Sequence, residues 1–298
     1  MLKISTALIC AILPAALAAC GAAATTDATG STGSTVSNAV PAIVGLRLNS
    51  SGTGTTIATV NADGGSFHSM TTTSVPFGAA EATHGGKFVV FSDGADVDNQ
   101  RLYVIDDNGS RRQLVGPTSQ IASAASPAFS PDLQWIYFRA VPAGQPGMSA
   151  VWRVKLDGSG LERVGAARAT GLGAPSISPD GRTLMETTLD SVVFTVLSSG
   201  ATHGEKVRCP GARYSPDGVH VSCISGTDLV VYDAQFLTSP RTLGDGDYRA
   251  GAGTDWTPDG TKILATSATN GPELVSYADG SVVSAKLGTT YVWAAFVK

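Results

Sequence analysis

Four stretches of the chain repeat one phrase: Phe129-Ser130-Pro131-Asp132, Ile177-Ser178-Pro179-Asp180-Gly181, Tyr214-Ser215-Pro216-Asp217-Gly218 and Trp256-Thr257-Pro258-Asp259-Gly260. Each leads into an apolar run. A degenerate fifth copy, Thr83-His84-Gly85-Gly86, precedes Lys87-Phe88-Val89-Val90-Phe91. Counted from the Asp position, the copies are 47, 48, 37 and 42 residues apart. Proline presets the turn dihedral, Asp caps the turn and glycine takes the positive φ. Each copy therefore predicts a tight antiparallel hairpin.

A second turn series is interleaved with the first: Asp63-Gly64, Asn108-Gly109, Asp157-Gly158, Ser199-Gly200, a weaker Asp233-Ala234, and Asp279-Gly280. These follow short runs rich in Val, Ile, Thr and aromatics, at 102–105, 151–156, 192–196, 229–232 and 273–277. No stretch after residue 20 keeps a 3.6-residue period, so essentially no helix is expected.

Two hairpins in about 42 residues make four strands, which is one blade of a β-propeller. Six second-series turns stand against five of the first series, and the chain ends on a further apolar run, Tyr291 to Val297. The expected fold is all-β: a six-bladed β-propeller of four-stranded antiparallel blades. The C-terminal strand completes the first blade as its innermost strand, and residues 41–75 supply the other three, at 42–48, 55–60 and 67–71. Closure hides sheet edges that otherwise invite aggregation.

The aromatic-Ser/Thr-Pro-Asp-Gly phrase, its apolar strand and the Asp-Gly turn together resemble the propeller repeats of the TolB family, across roughly residues 76–288. The same repeats occur in the propeller portions of prolyl-oligopeptidase-type enzymes. The resemblance implies the fold. TolB carries an α/β domain ahead of its propeller, where this chain has a short polar stretch. No G-x-S-x-G elbow of a hydrolase is present.

The N-terminus reads as an address. Lys3 is followed by a mostly apolar run over 4–17, too short for a membrane span, ending Leu17-Ala18-Ala19-Cys20. This resembles a bacterial lipoprotein signal over 1–19, with Cys20 as the lipidated residue. The alternative is an ordinary secretory signal cut near Ala19. Gly21 in place of Asp implies outer-membrane sorting, with the protein facing the periplasm. Residues 20–40 are rich in Ala, Thr, Gly and Ser with Asp27 as the lone charge, and predict a flexible tether ahead of a propeller at 41–298.

Among the 298 residues, 20 basic against 24 acidic side chains give a net charge of −4. That excludes nucleic-acid binding by phosphate neutralisation. Charged residues are only 15% of the chain, against a coiled coil or long surface helices. Of four cysteines, Cys10 leaves with the signal. Cys209 and Cys223 flank the turn at 215–218 symmetrically, so they are expected to face each other across adjacent strands as a disulfide; two buried thiols are the alternative.

Chemistry is sparse. His68, His84, His203 and His220 are scattered without metal-ligand spacing, so no metal site is expected from them. Asp93, Asp96 and Asp98 alternate like a loose calcium loop but lack the central Gly and distal Glu of an EF-hand; a solvated acidic loop is the plainer reading. Asp245 and Asp247 near Arg249 give a similar weak signal. Trp135, Trp152, Trp256 and Trp293 fall in strands and suit packing between blades. Blade-joining loops and second-to-third-strand loops share one face of a propeller. Asp93, Arg139, Glu186, Tyr248 and Arg249 fall there as candidate ligand-binding residues, beside a long loop at 141–149. The functional expectation is a lipid-anchored, monomeric envelope propeller binding a protein, peptide or glycan. The alternative is a channel-site polysaccharide lyase or glycoside hydrolase.

Overall fold

The computed structural model describes residues 42–48, 54–61, 63, 65–73, 80–83, 87–94, 98–169, 171, 173–249, 252–285, 287, 289 and 291–297. The expected signal, Cys20, the tether, His84 and Asp96 lie outside them. The described residues form strands and no α-helix, sorted into six antiparallel sheets.

Blade 1 contains β1 (Ala42–Leu48), β2 (Thr55–Asn61) and β3 (His68–Thr73). Blade 2 contains β4 (Ala80–Thr83), β5 (Phe88–Gly94), β6 (Gln100–Asp106) and β7 (Arg111–Val115). Blade 3 contains β8 (Ile121–Phe129), β9 (Ile136–Pro142), β10 (Met148–Val154) and β11 (Glu162–Arg163), with β12 (Arg168–Ala169) also pairing to β10. Blade 4 contains β13 (Ser176–Ile177), β14 (Thr183–Thr187), β15 (Val192–Val196) and β16 (Thr202–Glu205). Blade 5 contains β17 (Arg213–Tyr214), β18 (His220–Ser225), β19 (Asp228–Asp233) and β20 (Arg241–Leu243). Blade 6 contains β21 (Thr254–Trp256), β22 (Lys262–Ser267), β23 (Gly271–Ser276) and β24 (Val282–Ser284). The last strand, β25 (Tyr291–Phe296), returns to blade 1, whose order is β25-β1-β2-β3.

The fold is thus the expected six-bladed propeller closed by its C-terminal strand. Ile43 pairs with Phe296 and Gly45 with Ala294, so the first and last strands form one ladder. Closure is also chemical: the Asp255 carboxylate of blade 6 accepts the Phe296 amide of blade 1 at 2.9 Å. Blade 1 has a chain break where the other blades have an inner turn, because β25 ends and β1 begins there; Val297 N donates to Ala42 O. Five inner turns and six outer ones follow from that break.

Strand alternation gives each blade two apolar faces, and the buried residues group by blade junction. One cluster holds Val44, Leu46, Val89 and Phe91 between blades 1 and 2. Another holds Leu102, Ile121, Phe138 and Trp152 between blades 2 and 3. Tyr137, Val151, Ile177 and Leu184 join blades 3 and 4. Met185, Phe194, Val221 and Cys223 join blades 4 and 5, and Ile224, Leu229, Trp256 and Ile263 join blades 5 and 6. Ile43, Val60, Leu264 and Phe296 seal the ring between blades 6 and 1.

The repeated phrase folds identically four times. In blade 5, Ser215 Oγ donates to Asp217 Oδ1 and accepts the His220 amide at 2.9 Å, while Asp217 Oδ1 also accepts Val219 N at 3.0 Å. Ser178 with Asp180, Ser130 with Asp132, and Thr257 with Asp259 repeat the arrangement. Gly181, Gly218 and Gly260 close their turns at φ of 73°, 74° and 69°; blade 3 places Leu133 there at 57°. The hydroxyl holds each of these four Asp carboxyls below the usual carboxylate range.

The structure corrects two local expectations. Asp233-Ala234 is no two-residue turn: the connection from β19 to β20 runs over 234–240, with Leu237 and Ser239 at positive φ. Blade 5 pairs Arg213 with Ser222 and Tyr214 with Val221, so Cys209 is not the cross-strand partner of Cys223. It lies in the segment before β17, and the two sulfurs are bonded there, with Cα atoms 5.4 Å apart.

Replacing the hub hydroxyl tests the turn. Ser215→Ala removes hydrogen bonds from a side chain that is 1% exposed, and its expected cost is about 1–3 kcal/mol in denaturant unfolding at neutral pH. Asp217 has a folded-state pKa below its unfolded value. Its contribution is therefore present above the unfolded pKa, about 4, and is lost as pH falls through the folded pKa. The difference between wild type and Ser215→Ala should narrow on acidification below about pH 4. A pH-independent difference contradicts the hydroxyl–carboxylate pairing.

Candidate functional site

An up-down-up-down blade puts its inner and outer hairpin turns on one face, and its second-to-third-strand and blade-joining loops on the other. These are the turn face and the loop face. The five residues expected as a ligand site belong to the loop face, but in three places. Asp93 lies within β5 rather than in a loop, and its carboxylate pairs with Arg111 at 2.8 Å. Arg111 stacks 3.8 Å from the Tyr103 ring centroid.

Arg139 and Glu186 lie on neighbouring blades, 3 and 4, within electrostatic range of each other. Arg139 on β9 donates from Nε to Gly173 O, from Nη1 to Ser149 Oγ at 3.2 Å and from Nη2 to Thr187 O at 2.6 Å. Burial pulls its guanidinium down to about 10, while the Glu186 carboxylate opposes the shift, so it stays protonated at neutral pH. Gly171 makes the fit possible: a Cβ there would sit 1.2 Å from Arg139 Nη1. Glu186 on β14 is 2% exposed. Burial raises its carboxyl, against the pull of Arg139 and Arg168, whose Nε lies 3.8 Å from Oε2. That oxygen accepts no hydrogen bond among the described residues. Through Gly173 O and Thr187 O, Arg139 ties blade 3 to blade 4 deep in the protein.

Tyr248 and Arg249 lie between blades 5 and 6. Tyr248 is 1% exposed, with its hydroxyl over Gly244, where a Cβ would come within 2.0 Å of it. Burial and the Asp245 and Glu273 carboxylates raise its pKa. Arg249 donates to Ala268 O at 3.3 Å, and Asp247 accepts the Thr269 amide at 3.0 Å. Among the described residues, no group of three His, Cys, Asp or Glu side chains could hold a metal ion.

The loop-face end of the central channel is narrowed by backbone. Gly173, Gly211 and Gly253 precede the inner strands of blades 4, 5 and 6, all with φ near 70°. A Cβ on Gly173 would lie 2.7 Å from Gly211 Cα, and one on Gly211 would lie 3.0 Å from Gly253 Cα. Three blades meet there with no room for side chains.

Among the described residues, three cavities open on the turn face. A cavity of about 490 Å³ occupies the channel mouth, ringed by Pro131, Pro179, Pro216 and Pro258 with Trp256 and Phe296. A second, of about 500 Å³ between blades 4 and 5, is lined by Tyr214, His203, Phe194 and three Asp side chains. A third, of about 490 Å³ between blades 3 and 4, is lined by Trp135, Tyr137, Arg153 and Leu197. Pro179 lines all three. Val219, 53% exposed, stands at the second, and Phe236, 54% exposed, follows its rim residue Gln235. Reading the phrase as turn chemistry alone missed this site. The signal was present, since a proline at a fixed place in four inner turns must meet its equivalents around the axis.

Other side chains fall into place around these features. Trp152 and Trp256 are buried at blade junctions, whereas Trp135 is half-buried at the third cavity under the Arg153 guanidinium, 4.2 Å from its ring. His203 stacks on Phe194 with centroids 4.8 Å apart, and His220 Nε2 meets Tyr277 OH at 3.0 Å.

No protein-family model matches the chain. An uncharacterized protein of Agrobacterium fabrum is 40% identical over 68 residues, which is 23% of this chain and 22% of that relative. The chain thus matches about a fifth of that relative's length. TolB from Acinetobacter baumannii superposes with a TM-score of 0.65 at 14% identity, covering 87% of this chain and 67% of that one. A protein described as TolB from Agrobacterium tumefaciens gives 0.62 at 15% identity, covering 86% and 90%. A protein described as a 6-phosphogluconolactonase from Bacteroides uniformis gives 0.50 at 16%, covering 81% and 80%. The chain has a TolB-like propeller fold.

The blade 3–4 contact has a measurable role. Arg139→Met leaves the Gly173 and Thr187 carbonyls without their buried charged donor and removes a positive charge near Glu186, and the expected loss is about 3–5 kcal/mol in urea unfolding. Adding Glu186→Gln should recover the electrostatic part of that loss. Equal stability of Arg139→Met and wild type contradicts this role of Arg139.

Proposed function

We propose that this protein is a cell-envelope docking module that binds a protein segment on its turn face and is held at the membrane by a lipid on Cys20. The observation that carries the reading is the trio of cavities meeting at Pro179. They sit side by side around one proline and are partly apolar, the kind of surface that anchors side chains of an extended ligand. The TolB-like fold supports a scaffold role by analogy of fold.

β1 begins at Ala42 on the turn face, and Val297, which donates to Ala42 O, lines the central cavity. In this reading residues 21–40 are a flexible tether with a typical reach of about 25 Å. Sorting to the outer membrane and a periplasmic orientation complete the proposal. The lyase or hydrolase reading has no observation in its favour: Arg139 is consumed by backbone carbonyls and Ser149.

Photo-crosslinking in cells tests the face. A benzoylphenylalanine at Val219 on the turn face should yield protein adducts identifiable by mass spectrometry, and one at Gln145 on the loop face should not. Adducts from Gln145 alone overturn the assignment. Cys20→Ser should move the protein from the membrane to the soluble fraction and abolish incorporation of labelled palmitate; unchanged fractionation contradicts the anchor.

A further inference from the structure

The three turn-face cavities differ in charge. The central one is mainly apolar. The blade 3–4 cavity carries Arg153, already paired with Glu162. The blade 4–5 cavity is lined by Asp180, Asp217 and Asp233 and by no Lys or Arg. All three carboxylates are exposed. Each spends Oδ1 on its own turn: Asp180 on Arg182 N at 3.1 Å, Asp217 on Val219 N at 3.0 Å, Asp233 on Gln235 N at 2.9 Å. The cationic neighbours lie outside the lining. Arg182 follows the Asp180 turn, and His220, near Asp217, is engaged with Tyr277.

The same cavity has an aromatic lining. The exposed His203 lies flat on the buried Phe194, at 13° between planes, and Tyr214 and Pro179 line it as well. Burial and the Asp180 carboxylate raise the Tyr214 pKa, so its ring stays neutral. The acidic side chains are too dispersed for a metal ion. A cavity of about 500 Å³ with a flat aromatic wall and spread negative charge fits an extended organic cation: an alkyl stem along the rings and a charged head among the carboxylates.

We propose that the blade 4–5 cavity is a specificity pocket for a Lys or Arg side chain of the docked segment. This rests on the turn-face docking reading and adds a polarity to it. The ligand places an apolar side chain at the proline ring and a cationic one between blades 4 and 5.

The probes are N-acetyl-lysine methylamide and its uncharged analogue N-acetyl-norleucine methylamide, titrated into the full-length protein and followed by amide chemical shifts. Lysine should shift residues around His203, Tyr214 and Asp217 and bind at least about tenfold more tightly than norleucine. The Asp180→Asn/Asp217→Asn/Asp233→Asn variant keeps a side-chain oxygen for each turn, and its melting curve checks that the fold persists. It should lose the lysine preference. Equal binding of the two probes, shifts confined to other sites, or a preference that survives the triple substitution each overturn the pocket. The two readings separate in the Val219 crosslinks: persistence of those adducts alongside a failed lysine preference leaves docking intact and removes only its charge selectivity.

Discussion

The Ser or Thr hydroxyl of the repeated turn is the contact on which the rest of the structure depends. It stands between an Asp carboxylate and a backbone amide five residues ahead, in the same geometry in blades 3, 4, 5 and 6. That closes the inner hairpin tightly enough for its proline to point a ring at the axis. Successive turns then nest: a Cβ on Gly218 would lie 3.3 Å from Pro179, and one on Gly260 would lie 3.8 Å from Pro216. The proline ring that lines the central cavity is a by-product of the turn chemistry.

The second constraint is closure. Each blade is a small sheet whose two apolar faces are too large to leave in water, and a ring of six satisfies every face. The cost is a seam between the first and last strands, closed here by the β25–β1 ladder and by Asp255 reaching Phe296 N. The low charge content follows from the same geometry, since most strand residues that face a neighbouring blade are apolar, with Arg139, Glu186 and Asp255 among the few buried charges.

Much of this was legible in the sequence. Turn residues act locally, so Ser-Pro-Asp-Gly and Asp-Gly announced the hairpins, and the run from Tyr291 announced the closing strand. Where the signal depended on space rather than on neighbours in the chain, the reading stopped short. Arg139 reaches the Thr187 carbonyl, 48 residues on, across the space that Gly171 leaves open. The cysteine spacing suggested a symmetric hairpin, but β17 is two residues long and the chain bends away before Cys209. The channel narrows at its loop end because glycine backbones of blades 4, 5 and 6 approach closely. The candidates placed on that face are largely engaged within and between blades, and the cavities among the described residues lie opposite.

A turn face that carries the cavities and the start of β1, and a loop face narrowed by backbone, make the molecule one-sided. The most direct test of that asymmetry is crystallographic: crystals of the protein soaked with a few hundred small organic fragments. Bound fragments should concentrate in the cavities around Pro179. Fragments gathered instead along the loop face, around 141–149 and Arg249, with the proline ring empty, would contradict it.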